Sequence, residues 1–148
     1  MKKFILDTSV AMAWCFADEG GKTAEKILDS MQDHTAIVPP LWTYEVTNVL
    51  LVAERKKRLS AVDATRYLNL LFQLPIEVDD SLPNATELLR LGRDFKLSSY
   101  DAAYLELATR HGCALASLDK DLKKAAKKMG LTLRSEEHTS ELQSRQSI

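Results

Sequence analysis

The chain has 148 residues, of which 45% are apolar and 28% charged, with few Gly and Pro. That composition suits one globular domain with a single core and excludes low-complexity and collagen-like chains. The formal net charge of −1 excludes a whole-molecule basic field, so any contact with nucleic acid must come from local patches.

Met1 to Ala17 carry two lysines, an apolar run and a cysteine, the outline of an export signal. Asp7 interrupts that run, and bulky Trp14 precedes Cys15 where a small residue is required, so no export is expected. Nothing approaches 18 consecutive apolar residues, so no membrane span is expected and the cytoplasm is the expected compartment. Cys15 and Cys113 read as reduced thiols in or near the core.

Lys3 to Leu6 form a short apolar run that ends at Asp7, the pattern of a buried strand. Thr8 and Ser9 can cap the next helix, whose apolar face uses Val10, Ala13, Trp14 and Ala17. After Gly20-Gly21, a helix from about Lys22 to Met31 places Ala24, Ile27, Leu28 and Met31 at helical spacing. Ala36 to Val38 is a second strand, closed by Pro39-Pro40. Pro40 suits a first helical position. The helix from about Leu41 to Arg55 is expected to bury Leu41, Tyr44, Val49 and Val52. Ser60 starts another through Leu71, using Val62, Tyr67, Leu70 and Leu71.

Ile76 to Val78 is a candidate third strand, and Pro83 to Asp94 is helical with Ala85, Leu88, Leu89 and Leu91 inward. Ser98 or Ser99 caps a helix from Tyr100 to His111 with the stripe Ala103, Tyr104, Leu107 and Ala108. Cys113 to Leu118 is a buried strand, Asp119 starts a helix from Lys120 to Met129, and Gly130 stops it. Leu131 to Leu133 is expected as an edge strand. Strands separated by helices imply an α/β fold, a short central parallel sheet with helices on both faces.

Parallel sheets build sites at the carboxyl ends of strands. Asp7 ends the first strand and Asp119 follows the strand ending at Leu118. Glu45 lies among apolar neighbours in the second turn of its helix, with Asn48 three residues on, able to orient a ligand or a water. Asp101 opens an otherwise apolar helix. Each acid alone has a plainer explanation, since Asp7, Asp101 and Asp119 hold cap or first-turn positions that favour acids anyway. Together they cannot share one edge cheaply: two unit charges about 4 Å apart cost about 4 kcal/mol at an effective dielectric near 20. Protonation or a divalent cation relieves that, and oxygen-only ligands suit Mg²⁺ or Mn²⁺. The four are expected to converge to within reach of one shared ion.

Four segments carry a resemblance: Phe-Ile-Leu-Asp-Thr-Ser-Val (4 to 10), Val-Pro-Pro-Leu-Trp-Thr-Tyr-Glu-Val-Thr-Asn-Val-Leu (38 to 50), Leu-Ser-Ser-Tyr-Asp-Ala-Ala-Tyr-Leu-Glu-Leu-Ala (97 to 108) and Leu-Ala-Ser-Leu-Asp-Lys-Asp-Leu (115 to 122). In order and spacing they resemble the PIN-domain family, and within it the VapC-type toxins of toxin–antitoxin pairs. The resemblance implies a PIN-like three-layer α/β/α sandwich over residues 1–133. It also implies a metal-dependent ribonuclease that uses Asp7, Glu45, Asp101 and Asp119 to hold Mg²⁺ or Mn²⁺. Ser117 stands where the family commonly has a hydroxyl residue shortly before the last acid. Asp121 is a rival for the fourth role. The implied partners are an RNA substrate such as tRNA or rRNA, a cognate antitoxin that covers the acidic groove, and a second copy in a homodimer.

The basic runs Arg55 to Arg58 and Lys120, Lys123, Lys124, Lys127 and Lys128 are candidate phosphate contacts or plain solvated faces. His34 and His111 lie outside the motifs and read as surface residues. Trp14, Trp42 and Tyr100 read as core. A receiver-type phosphorylation domain would want paired acids near the first strand, and an aspartyl phosphatase an acid where Ser9 stands. A non-catalytic RNA-binding module and a PIN nuclease for RNA processing outside a toxin–antitoxin pair stay open as alternatives. Arg134 to Ser144 resembles a translated sequencing adapter, so residues 134–148 are expected to be a non-native or disordered tail.

Overall fold

A computed structural model describes residues 2–16 and 21–133. Four strands, β1 (Lys2–Leu6), β2 (His34–Val38), β3 (Ile76–Val78) and β4 (Ala114–Ala116), form one parallel sheet in the order β3-β2-β1-β4. Among the described residues the helices are α1 (Thr8–Cys15), α2 (Gly21–Ser30), α3 (Pro40–Arg55), α4 (Ala61–Leu71), α5 (Ala85–Phe95), α6 (Ser99–His111) and α7 (Lys120–Lys128). Ala17, Gly20 and the tail from residue 134 lie outside the described residues.

β2 and β3 extend the sheet on one side of β1, and β4 joins it on the other, with Phe4 opposite Ala36 and Ala114. Right-handed crossovers running in opposite directions put the connecting helices on opposite faces, which is the expected α/β/α sandwich. The direction reverses between β1 and β4, so the crevice beyond their carboxyl ends is the place where such sheets bind ligands. Phe4, Ile5 and Leu6 are buried on both faces, each fully buried Leu- or Ile-sized side chain contributing about 1.5–3 kcal/mol.

Three expected helix faces are corrected. On α3 the buried row is Trp42, Val46, Leu50 and Ala53, while Tyr44 is exposed and Leu41, Val49 and Val52 are half-buried. Trp42 decides this, because the largest apolar side chain takes the space beside Phe72 and turns the helix by one residue, about 100°. The same turn leaves Glu45 on the flank of the buried row instead of its centre. On α4, Val62 and Leu70 are exposed and Ala64 and Leu71 are buried. On α5 only Leu91 is fully buried, with Ala85 and Leu89 outside.

Leu131 to Leu133 do not form a strand: Leu131 O accepts from Leu115 N at 2.8 Å, and a single bridge joins Leu115 to Thr132. Tyr100 is exposed and Trp14 half-buried, whereas Trp42 is in the core as expected. Cys15 and Cys113 are both half-buried. No described helix is long and apolar enough to cross a membrane.

Candidate active site

Asp7 sits just past the end of β1, and its backbone N–H still pairs with Ala116 O on β4 at 3.0 Å. Its position is that of the α1 N-cap, yet its side chain makes no capping bond. Oδ2 accepts instead from Ser9 Oγ and Ser117 Oγ, each at 2.7 Å. Ser9 Oγ also accepts from Leu118 N at 2.8 Å, and Ser117 Oγ from Asp119 N at 3.0 Å. Two hydroxyls therefore tie the end of β1 to the turn after β4, and Asp7 is held between them, 6% exposed.

Glu45 reaches the same edge from α3. Its Oε1 accepts from Thr8 Oγ1 at 3.0 Å and from the Tyr104 hydroxyl of α6. Asp101 lies in the first turn of α6, where Ser98 caps its N–H at 3.1 Å. Asp119 is the N-cap of α7 and accepts from Leu122 N at 2.9 Å. Asp119 is exposed, and Asp101 and Glu45 are half-buried.

The four acids act on one another. Burial raises the Asp7 carboxyl above the ordinary Asp range against the pull of the Ser117 and Ser9 hydroxyls, and Glu45 and Asp101 push it further. Asp101 is raised by burial, then by Asp119 and Glu45, with Ser98 opposing and Asp121 adding the least of these. Of the two rivals for the fourth position, Asp119 therefore bears on Asp101 more strongly than Asp121 does.

The expected convergence is corrected in degree. The four share an edge and a field, but among the described residues no three acids, His or Cys stand arranged to hold a metal ion. At three of the four acids one carboxylate oxygen is already engaged. Asp7 Oδ2 faces Ser9 and Ser117, Glu45 Oε1 faces Thr8 and Tyr104, and Asp119 Oδ2 caps α7. The chemistry of the set, four carboxylates with no cation or sulfur among them, nevertheless fits a hard divalent cation.

Asn48 is exposed and, among the described residues, makes no hydrogen bond to Glu45. Ser117 is at the site, 1% exposed. His34 meets Asp33 and Ser30 O, and His111 meets Asp79, so neither joins the acids. Both are half-buried, not the surface residues expected. Sequence reasoning missed three hydroxyls. Thr8 and Ser9 read as helix caps, and Tyr104 as one more member of an apolar stripe. The available signal was that Thr8 and Ser9 immediately follow the strand-end acid.

The PIN domain family model matches residues 4–128. Among solved structures, PAE2754 from Pyrobaculum aerophilum is similar at 25% identity with a TM-score of 0.66, covering 85% of this chain and 81% of that one. A chain of VapBC2 from Rickettsia felis, solved bound to a DNA fragment from their promoter, gives 12% identity, coverage of 83% and 92%, and a TM-score of 0.61. VapC20 from Mycobacterium tuberculosis, a toxin that cleaves the sarcin-ricin loop, gives 15% identity, coverage of 82% and 94%, and a TM-score of 0.55. No curated protein matches in sequence.

Proposed function

This chain belongs to the PIN domain family, and on that premise we propose that it is a Mg²⁺- or Mn²⁺-dependent endoribonuclease, the toxin of a toxin–antitoxin pair. The observation that carries the proposal is the acid cluster at the β1–β4 switch point, uncompensated among the described residues, where burial and then mutual repulsion hold Asp7 and Asp101 above the usual carboxylate range. Asp7, Glu45, Asp101 and Asp119 would hold the cation. When bound, it lowers the pKa of a water and neutralises charge developing on a phosphodiester. Ser9 and Ser117 fix Asp7 against the end of β4.

RNA as substrate is supported by charge placement. Lys120, Lys123, Lys124 and Lys127 are exposed on α7, the helix that Asp119 opens, and their i, i+3 and i+4 spacing makes one basic face suited to phosphate. They border a groove of about 370 Å³ with Leu115 and Thr132. The toxin reading is supported by the likeness to VapC20 and to VapBC2. It brings a cognate antitoxin over the acids, a homodimer, and action on tRNA or rRNA in the cytoplasm. Residues 1–133 are the unit that carries the activity.

Asp7→Asn and Asp101→Asn should each lower metal-dependent RNA cleavage by more than about 100-fold, because ligands matter more than their supports, whose loss alone costs 10–100-fold. Both variants should keep the circular dichroism of the folded chain. Undiminished cleavage by both purified variants would defeat the assignment. RNA binding that ignores chelator, with no cleavage by the parent chain, would favour a non-catalytic binding module.

A further inference from the structure

Tyr104 stands out among buried groups, because its ring could be a phenylalanine if packing were all it did. It is fully buried, and a buried hydroxyl without a partner is costly. Its hydroxyl goes to Glu45 Oε1 and lies 3.0 Å from Thr8 Oγ1, which itself donates to the same Oε1 at 3.0 Å. Side chains from α1, α3 and α6 thus meet at one carboxylate oxygen. Among the described residues the other oxygen, Oε2, takes no hydrogen bond.

We propose that Tyr104, with Thr8, is a positioning residue that locks Glu45 through Oε1 and presents Oε2 alone as a ligand oxygen for the divalent cation. The proposal rests on the nuclease reading above. Neither hydroxyl touches the cation or the RNA; both act through Glu45. Without them Glu45 would be free to turn about its terminal bond and to offer both oxygens, since that torsion is broad. The same construction recurs at Asp7, where Ser9 and Ser117 also engage a single oxygen, Oδ2.

The test is Mn²⁺ binding to the full-length chain, followed by the loss of the free-ion electron paramagnetic resonance signal, for the parent, Tyr104→Phe, Thr8→Val and Glu45→Gln. Tyr104→Phe should weaken Mn²⁺ binding about 10-fold, the lower end for a lost supporting hydrogen bond. It should also lower kcat with KM for RNA unchanged. Difference infrared spectra should show the Glu45 carboxylate stretches, identified by their absence in Glu45→Gln, closing from the wide spacing of a monodentate ligand toward that of a bidentate one. Thr8→Val should act in the same direction and serves if Tyr104→Phe does not fold. Parent-like Mn²⁺ affinity and unchanged carboxylate stretches in the folded variants would overturn the positioning role. If Glu45→Gln also binds Mn²⁺ as the parent does, the metal-site reading itself falls.

Discussion

The two ends of α6 handle acidic side chains in opposite ways. At its first turn, Asp101 faces Glu45 and Asp119 with no cation paired to it among the described residues, and burial and then those acids push its carboxyl up. Toward its last turn, buried Glu106 meets Arg110 Nε at 2.7 Å and accepts from Asn84 N at 3.2 Å. There Arg110 Nη1 donates to Ser81 Oγ at 2.6 Å, and His111 Nε2 lies 2.6 Å from Asp79 Oδ2. One end is balanced internally and ties the loop after β3 to the helix. The other is left unbalanced, with hydroxyls that orient its acids without neutralising them. An acid with its own countercharge reads as structure; a set without one points to a charge that arrives from outside.

The largest expected effect sets the two ends against each other. Glu106→Gln removes a carboxylate that is 2% exposed and leaves Arg110 without its closest charged partner. It should cost about 3 kcal/mol, the low end for breaking a buried pair, since Arg110 itself reaches solvent. The matching change at the other end, Asp101→Asn, should be neutral or stabilising in chelator, because it removes repulsion. Urea unfolding of both in EDTA tests this. A loss at Asp101 as large as that at Glu106 would erase the distinction.

Next in size is the response to the missing countercharge. Mg²⁺ at about a hundredfold excess over its Kd should stabilise the parent by about 2.7 kcal/mol. Glu106→Gln should keep that increment, and the double variant Asp7→Asn, Asp101→Asn should lose it. Urea midpoints with and without Mg²⁺ measure both. An equal gain in the double variant would place the binding elsewhere.

Much of the unbalanced end was legible in the sequence, and almost none of the balanced one. Asp7 ends an apolar run, Glu45 interrupts one, and Asp101 and Asp119 open helices, so local pattern locates all four. Alternating strands and helices give the parallel sheet, but not the order β3-β2-β1-β4 that brings the four to one edge. Of the hydroxyl partners, Ser117 was marked by the resemblance, but Tyr104 was not legible, because it has the spacing of a core residue and its contact with Glu45 spans 59 positions. The row buried on α3 was misjudged by one residue, since periodicity cannot say which of two adjacent apolar rows Trp42 will draw inward. The Asp79–His111 pair bridges 32 positions between a loop and a helix end; no local signal marks such a pair.

That pair gives the smallest effect and the sharpest sign. The Asp79 carboxyl is held well below the usual range, first by the Ser81 hydroxyl and backbone N–H, then by His111 and Arg110. A carboxyl lowered in the folded state contributes stability that is complete above its unfolded pKa and fades as pH falls toward the folded one. Asp79→Asn should therefore cost about 1 kcal/mol at pH 7, kept small by solvent screening of a partly exposed group. The gap between variant and parent should narrow as pH drops below about 3.9, the ordinary Asp value, because protonation then removes from the parent what the substitution removes from the variant. Urea unfolding at pH 7, 5 and 3 follows the closure. A gap that holds constant across that range would mean that Asp79 acts by shape and hydrogen bonding rather than by charge, and the balanced end of α6 would no longer be an electrostatic counterpart to the other.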